Sequence, residues 1–185
     1  MASALFLIGV SGAGKSTMAQ ALGAYLTGHG LRTAVIDTDA LGQFGPGPSS
    51  PAGRSDLYNG LKCRNLAAVW ANYRPVADYM VVAAAGMVTR QLREQYVQSL
   101  DGCDSQVAQL LAPPSVVLER LRRRHGHLSS HPGTHNSDLP VADLDSIAAD
   151  MRRLDNLGLA DFVVRNDRAA PEVAVELARR AGWFP

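Results

Sequence analysis

The sequence predicts an α/β fold, a parallel five-stranded sheet with helices on both faces. Short apolar runs alternate with longer amphipathic stretches along the chain. The runs are continuously apolar, as in strands that are covered on both faces, and the first leads through a glycine-rich turn into a helical pattern. Such alternation is typical of three-layer α/β proteins. The predicted strands are 5–9, 33–37, 79–84, 106–111 and 162–164.

The remaining stretches divide into helices and two long loops. Helical periodicity predicts helices over 16–26, 61–72, 88–99, 115–124, 141–156 and 171–181. Segments 42–56 and 125–139 are rich in turn-forming residues and predict loops. Loops of this length in a compact domain are usually functional or disordered, and both should lie where parallel strands present a ligand site. With 185 residues and no internal repeat, we expect one domain over 1–185.

Composition excludes several functional classes. Apolar residues make up 46% and charged residues 19% of the chain, which is typical of a globular protein and not of a disordered one. A net charge of +1 argues against a nucleic-acid-binding surface. No apolar run approaches the ~18–20 residues of a membrane span, and two cysteines are too few for a disulfide framework. We therefore expect a cytoplasmic protein without nucleic-acid or membrane partners; a homodimer remains an open alternative to a monomer.

The segment from Gly9 to Thr17, G-V-S-G-A-G-K-S-T, matches the whole Walker A pattern between a strand and a helix. Glycines allow successive backbone N–H groups to face phosphate oxygens, and the helix N-terminus adds its positive dipole end. Lys15 should reach the β- and γ-phosphates, and Ser16 should bind Mg²⁺. The predicted ligands are ATP and Mg²⁺, contacted by Gly9, Ser11, Gly12, Ala13, Gly14, Lys15, Ser16 and Thr17.

Two aspartates, Asp37 and Asp39, follow the second predicted strand. Asp37 could hold Mg²⁺, and Asp39 could orient or deprotonate an acceptor hydroxyl, both contributing to the substrate site. The alternative is that both are turn and cap residues. The third predicted strand lacks the acidic residue of a typical Walker B motif, and the guanine-reading N-K-x-D motif is absent. These absences argue against a motor ATPase and a GTP switch.

An arginine-rich helix is predicted after the fourth strand. Arg120 and Arg124 are four residues apart and share a helix face, where they could neutralise charge on a transferring phosphoryl group or stack on adenine. Arg122 and Arg123 fit a solvated face better. The histidines at 125, 127, 131 and 135 resemble no standard zinc site, so we interpret 120–139 as a polar lid.

These motifs resemble the small P-loop kinases that include adenylylsulfate kinase, gluconate kinase, shikimate kinase and chloramphenicol phosphotransferase. The phosphate loop is similar to those of the first two, and Asp37-x-Asp39 to the aspartate pair of the adenylylsulfate and shikimate enzymes. The resemblance spans nearly the whole chain. It implies the P-loop NTPase fold with strand order 2-3-1-4-5, and a loop near adenine that includes Asn166 and Arg168.

Several departures leave the acceptor open. After Asp39 the chain has neither the asparagine–arginine of adenylylsulfate kinases nor the His-Pro of gluconate kinases. After the third strand it lacks the Ile-Ser-Pro of adenylylsulfate kinases, and shikimate kinase's triple glycine is also missing. We expect acceptor contacts from Asp39, the 42–56 loop and the 86–93 segment. Further candidates are four polar residues on these segments and on the helix between them: Arg54, Arg64, Asn65 and Arg90.

The leading functional hypothesis is an ATP-dependent kinase that phosphorylates a hydroxyl of a small metabolite. In it, Lys15, Asp39, Arg120 and Arg124 are catalytic. A nucleoside or nucleoside-monophosphate kinase is a second hypothesis, and a regulatory nucleotide-binding protein with little catalysis a third. The sequence identifies neither the acceptor nor the pathway, and leaves open whether GTP replaces ATP.

Overall fold

The computed structural model describes residues 2–45, 47–128 and 143–183. Strands and helices alternate along most of this length. The strands are β1 (Ala2–Ile8), β2 (Thr33–Asp37), β3 (Tyr79–Ala83), β4 (Cys103–Leu111) and β5 (Phe162–Arg165). The helices are α1 (Lys15–Gly28), α2 (Thr38–Leu41), α3 (Pro51–Tyr73), α4 (Arg90–Gln98), α5 (Pro114–Leu128), α6 (Leu144–Leu157) and α7 (Ala170–Arg180).

The five strands form one parallel sheet in the order β2-β3-β1-β4-β5. This confirms the predicted fold class and strand order. β1 lies at the centre, with Phe6 opposite Val82 on β3 and Val107 on β4. The loop after β1 therefore leaves the carboxyl edge of the sheet between the ends of β3 and β4.

β1 explains why helices cover both faces of the sheet. Leu5 and Leu7 belong to one buried cluster, and Phe6 and Ile8 belong to another, because successive strand side chains point to opposite faces. The first cluster includes side chains from α1 and α7, and the second includes side chains from α3 and α4. Apolar burial on both faces is the main stabilising contribution that this arrangement offers.

The predicted loop over 42–56 is too long, because α3 already begins at Pro51. Ser50 is its N-cap, and its hydroxyl accepts a hydrogen bond from the Gly53 N–H at 3.1 Å. Proline is favourable in a first helical turn, where its missing N–H would have no partner. The prolines and glycines of this stretch thus mark both a loop and a helix start. The predicted helix over 61–72 is the second half of α3.

The second part of the predicted lid, 129–139, falls outside the described residues. α5 continues to Leu128 and so includes 125–128, which we predicted as loop, while 129–142 are not described. α6 begins after Asp143, whose carboxylate accepts from the Ser146 N–H at 2.7 Å in a capping box. Within 2–45, 47–128 and 143–183, no helix is long and apolar enough to cross a membrane.

Candidate nucleotide and acceptor site

The loop between β1 and α1 has the backbone of a phosphate cradle. Gly14 adopts a φ of 92°, and a Cβ there would lie 2.5 Å from Asn166 Nδ2. Only glycine fits this position without strain. Among the described residues no side chain caps α1, whose N-cap is Gly14, so the N–H groups of its first turn are available to an anion.

Lys15 lies over this loop. Its Nζ donates to the carbonyl oxygens of Gly9 at 2.9 Å and Val10 at 3.1 Å. Burial lowers the pKa of Lys15 below its ordinary value of 10.5, and the carboxylates of Asp39 and Asp37 partly oppose the shift. The ammonium is thus held by weak neutral partners, and a polyphosphate would stabilise its charge more strongly.

Ser16 and Asp37 meet at the end of β2. Ser16 Oγ donates to Asp37 Oδ2 at 2.5 Å, and Asp37 Oδ1 accepts from the Asp39 N–H at 3.0 Å. Asp37 is therefore the N-cap of α2, as the capping interpretation predicts, and also faces Ser16. Hydroxyl and carboxylate oxygens are ligands that Mg²⁺ prefers, so the pair fits this ion.

Asp39 lines the cleft, and its side chain is 68% exposed. Lys62 Nζ on α3 lies 2.7 Å from Asp39 Oδ1, and the Lys62 side chain is only 12% exposed. Sequence reasoning did not place Lys62 in the site. The composition gave one signal, since Lys15 and Lys62 are the only lysines in the sequence. Lys62 nevertheless lies 23 residues from Asp39 along the chain, so spacing alone does not predict their contact.

Hydrogen bonds to the backbone N–H and carbonyl of Ala85 hold the segment that follows β3. Thr38 Oγ1 donates to the Ala83 carbonyl at 3.1 Å and accepts from the Ala85 N–H at 2.9 Å. The Ala85 carbonyl accepts from Tyr96 Oη at 2.9 Å and, more distantly, from Lys62 Nζ at 3.4 Å. Burial raises the pKa of Tyr96, which therefore remains a neutral donor. α2, α3 and α4 thus all hold one wall of the cleft.

Asn166 and Arg120 hold the phosphate loop from the other side. Asn166 is buried, and its Nδ2 donates to the Ala13 carbonyl at 2.7 Å. Arg120 donates to the Asn166 carbonyl at 2.8 Å and approaches the Ala13 carbonyl at 3.5 Å. Arg168 lines the same end of the cleft and forms an ion pair with Glu176. These hydrogen bonds attach α5, and the residue that follows β5, to the phosphate loop.

One cleft of about 720 Å³ is lined by the phosphate loop, Asp39, the segment after β3, Asn166 and Arg168. Asp37 and Lys62 contact the lining residues Ser16 and Asp39 but do not line the cleft themselves. Arg120 and Arg124 both line it, as their common helix face predicts. So do two side chains of α6 that sequence reasoning missed, Asp150 and Arg153. Neither belongs to a recognisable motif, and their place follows from the packing of α6 against α5, in which Ile147 lies among α5 side chains.

The four polar candidates for acceptor contact do not line this cleft. Arg54 donates to the carbonyls of Pro48 and Ser49, and Asn65 donates to the Leu41 carbonyl at 2.7 Å. Arg64 is exposed on α3. Arg90 lines a separate hollow of about 140 Å³ together with Arg93 and Asp161.

Comparison with known protein families identifies the chain at the family level. Residues 5–154 match the family described as an AAA domain. The chain belongs to this family. No curated protein shows significant sequence similarity to this AAA domain protein.

Solved structures of similar fold include the tunicamycin resistance protein of Deinococcus radiodurans, with 20% identity and a TM-score of 0.64 over 100% of this chain and 98% of that one. The APS kinase of Mycobacterium tuberculosis, in complex with AMPPNP and APS, has 21% identity and a TM-score of 0.57 over 96% of both chains. A gluconokinase from Sinorhizobium meliloti 1021 has 21% identity and a TM-score of 0.57 over 97% of this chain and 94% of that one. At these identities the similarity establishes the fold.

Proposed function

We propose that this protein is a kinase that transfers the γ-phosphate of ATP to a hydroxyl group of a small molecule. One observation carries the proposal: Asp39 lines the same cleft as the phosphate loop, beside the Ser16–Asp37 pair. A phosphate cradle alone would bind a nucleotide. A carboxylate at its edge adds a group that can accept the proton of an attacking alcohol.

In the proposed reaction, the acceptor oxygen bonds to the γ-phosphorus while the bond from that phosphorus to the β,γ-bridging oxygen breaks. ADP leaves, and Asp39 receives the hydroxyl proton. Asp39 Oδ1 accepts a hydrogen bond from Lys62, whereas Asp39 Oδ2 has no hydrogen-bond partner among the described residues. Asp39 Oδ2 can therefore face the acceptor. Mg²⁺ held by Ser16 and Asp37 would neutralise phosphate charge.

The remaining cleft residues take supporting roles. Lys15 contacts the transferred phosphate, and Arg120 and Arg124 offset the negative charge that develops during transfer. Asn166 and Arg168 line the cleft after β5, at the opposite edge of the sheet from β2 and Asp39, and we place the nucleotide base there. The fold that this chain shares with an APS kinase and a gluconokinase is consistent with small-molecule phosphorylation.

An ATP-dependent phosphorylation screen tests the proposal. Sugars, nucleosides, nucleotides and natural-product alcohols are incubated with the protein, ATP and Mg²⁺, and products are detected by a mass increase of one phosphoryl group. Phosphorylation of an alcohol supports the proposal, and phosphorylation of a nucleotide acceptor favours a nucleoside-monophosphate kinase. If no acceptor stimulates ADP release, the regulatory hypothesis gains weight.

Asp39→Asn isolates the proposed base. We expect kcat to fall by about 10²–10⁴, as for loss of a general base, while ATP affinity is retained. Asp104→Asn changes an exposed aspartate on β4 and is the matched control. Unchanged acceptor-dependent ADP release in Asp39→Asn would remove Asp39 from the mechanism.

A further inference from the structure

The end of the cleft beside Asp39 has an apolar wall. The segment after β3, residues 84–88, reads A-A-G-M-V and lines the cleft with no charged side chain. Met87 is buried, and Val88 is 43% exposed. Within this wall, Ala85 is held by hydrogen bonds with α2, α3 and α4. The side chains that this wall exposes to the cleft, mainly those of Ala85 and Val88, are therefore apolar.

The cation nearest this wall is already paired. Lys62 does not line the cleft; it lies behind Asp39 and bonds to it at 2.7 Å. Its methylene groups pack on Gly42, where a Cβ would lie 2.8 Å from Lys62 Cε. To reach an acceptor, Lys62 would have to leave both Asp39 and the Ala85 carbonyl.

The arginines of neighbouring segments do not supply a replacement. Arg54 donates to carbonyl groups of the loop before α3, Arg64 is exposed outside the cleft, and Arg90 lines another hollow. The cleft arginines Arg120, Arg124 and Arg153 come from α5 and α6, which follow β4 in the chain and pack against each other. Among the described residues, no cation on α2, α3 or α4, the elements that hold the wall at 84–88, thus lines the cleft.

We propose that the acceptor is an uncharged alcohol with an apolar part that packs on residues 86–88, and that Lys62 is a positioning residue for Asp39. The inference rests on the proposed kinase function. An anionic acceptor would face the Asp39 carboxylate and the γ-phosphate, and like charges at close range oppose binding. In addition, a charged group that loses water without gaining a partner binds poorly, because its desolvation is not compensated.

The first test compares matched acceptors under the same conditions. Neutral alcohols are paired with analogues that carry an added carboxylate or phosphate, and kcat/KM is measured with ATP and Mg²⁺. We expect at least a tenfold preference for the neutral member of each pair. Preference for the anionic member overturns this inference and leaves the kinase function standing. Absence of turnover with both members overturns the kinase function, and this inference with it.

A charged variant of the wall gives the second test. Val88→Arg should lower kcat/KM for the neutral acceptor at least tenfold and improve the anionic analogue, because it adds an unpaired cation. Val76→Arg is the matched control, since Val76 is also exposed, at 57%, and does not line the cleft. An unchanged neutral-to-anionic ratio in Val88→Arg contradicts the proposed place of the acceptor.

Lys62 variants separate positioning from acceptor binding. If Lys62 orients Asp39, Lys62→Met lowers kcat at least tenfold for the neutral acceptor, with little change in its KM or in ATP affinity, and Lys62→Arg recovers part of the loss. If Lys62 instead binds an acceptor anion, Lys62→Met raises KM for anionic acceptors alone. The second pattern overturns the assignment of Lys62 and of the uncharged acceptor.

Discussion

Both the backbone conformation of Gly14 and its closeness to the Asn166 side chain disfavour any other residue at this position. Its φ of 92° is unfavourable for other residues, and a Cβ there would lie 2.5 Å from Asn166 Nδ2. We expect Gly14→Ala to lower the free energy of unfolding by about 1–3 kcal/mol and to abolish nucleotide binding. Urea denaturation and titration with a non-hydrolysable ATP analogue measure the two effects.

Gly28→Ala is the matched control for Gly14→Ala. Gly28 is the last residue of α1, and a Cβ there would meet no atom within 4 Å. Alanine favours the helix over glycine by up to about 1 kcal/mol, so this variant should be neutral or more stable and should bind nucleotide normally. Equal destabilisation by both substitutions would contradict the role assigned to Gly14.

Lys15 should make stability depend on alkaline pH. Its pKa in the folded protein lies below the ordinary 10.5, mainly through burial, so the unfolded chain binds more protons between the two values. The free energy of unfolding that Lys15 contributes therefore rises with pH through that window. Lys15→Met should remove this rise, which urea denaturation at several alkaline pH values would measure. Arg179→Met, at an exposed position on α7, should keep the wild-type slope.

The sequence predicted the residues of local motifs better than those brought in by packing. Lys15, Ser16 and the Asp37-x-Asp39 pair lie on two segments whose spacing has chemical meaning. Lys62 was not predicted, because its contact with Asp39 depends on how α3 packs against α2. The candidates Arg54 and Asn65 instead bond nearby carbonyl groups, a choice that sequence periodicity does not encode.

At the scale of elements, the start of α3 carries a stability prediction. Ser50→Ala removes the hydroxyl that caps Gly53, so the free energy of unfolding should fall by about 1 kcal/mol, measured by thermal or urea denaturation. Ser49→Ala changes the preceding exposed serine, whose hydroxyl caps no helix, and should have little effect. Equal effects of the two changes would argue against a cap at Ser50.

Element boundaries were predicted less well than element types. Proline, glycine and serine after α2 predict a loop, yet Ser50 and Pro51 together form the start of a helix. The same residue types favour turns and helix N-termini, and the choice between them depends on whether the following residues have a face to bury. In α3 those residues include Leu66 and Trp70, both buried beneath the sheet.

For the whole molecule, the two tryptophans report on the two sides of the sheet. Trp183 belongs to the cluster with α1 and α7, and Trp70 to the cluster with α3 and α4. Both clusters include β1 side chains, so we expect them to unfold together. In each single-tryptophan variant, Trp70→Phe and Trp183→Phe, fluorescence and far-UV circular dichroism should give the same urea midpoint. Different midpoints within one variant would indicate that one layer unfolds separately.

The overall architecture followed from the alternation of apolar runs and helices, but the strand order did not. Periodicity identifies strands without identifying their neighbours; the order 2-3-1-4-5 came from the resemblance to small P-loop kinases and is confirmed by the pairing of β1 with β3 and β4. The place of α6 in the cleft could not be predicted because it depends on long-range packing.

The central position of β1 divides the cleft into two halves that also separate along the chain. Asp39 and the 84–88 wall come from residues 33–98, whereas Arg120 and Asn166 come from residues 103–183. Substitutions or recombination confined to one contiguous stretch can therefore remodel one half and spare the other. A lineage with this strand order can acquire a new specificity at one half of its cleft while the other half is inherited unchanged.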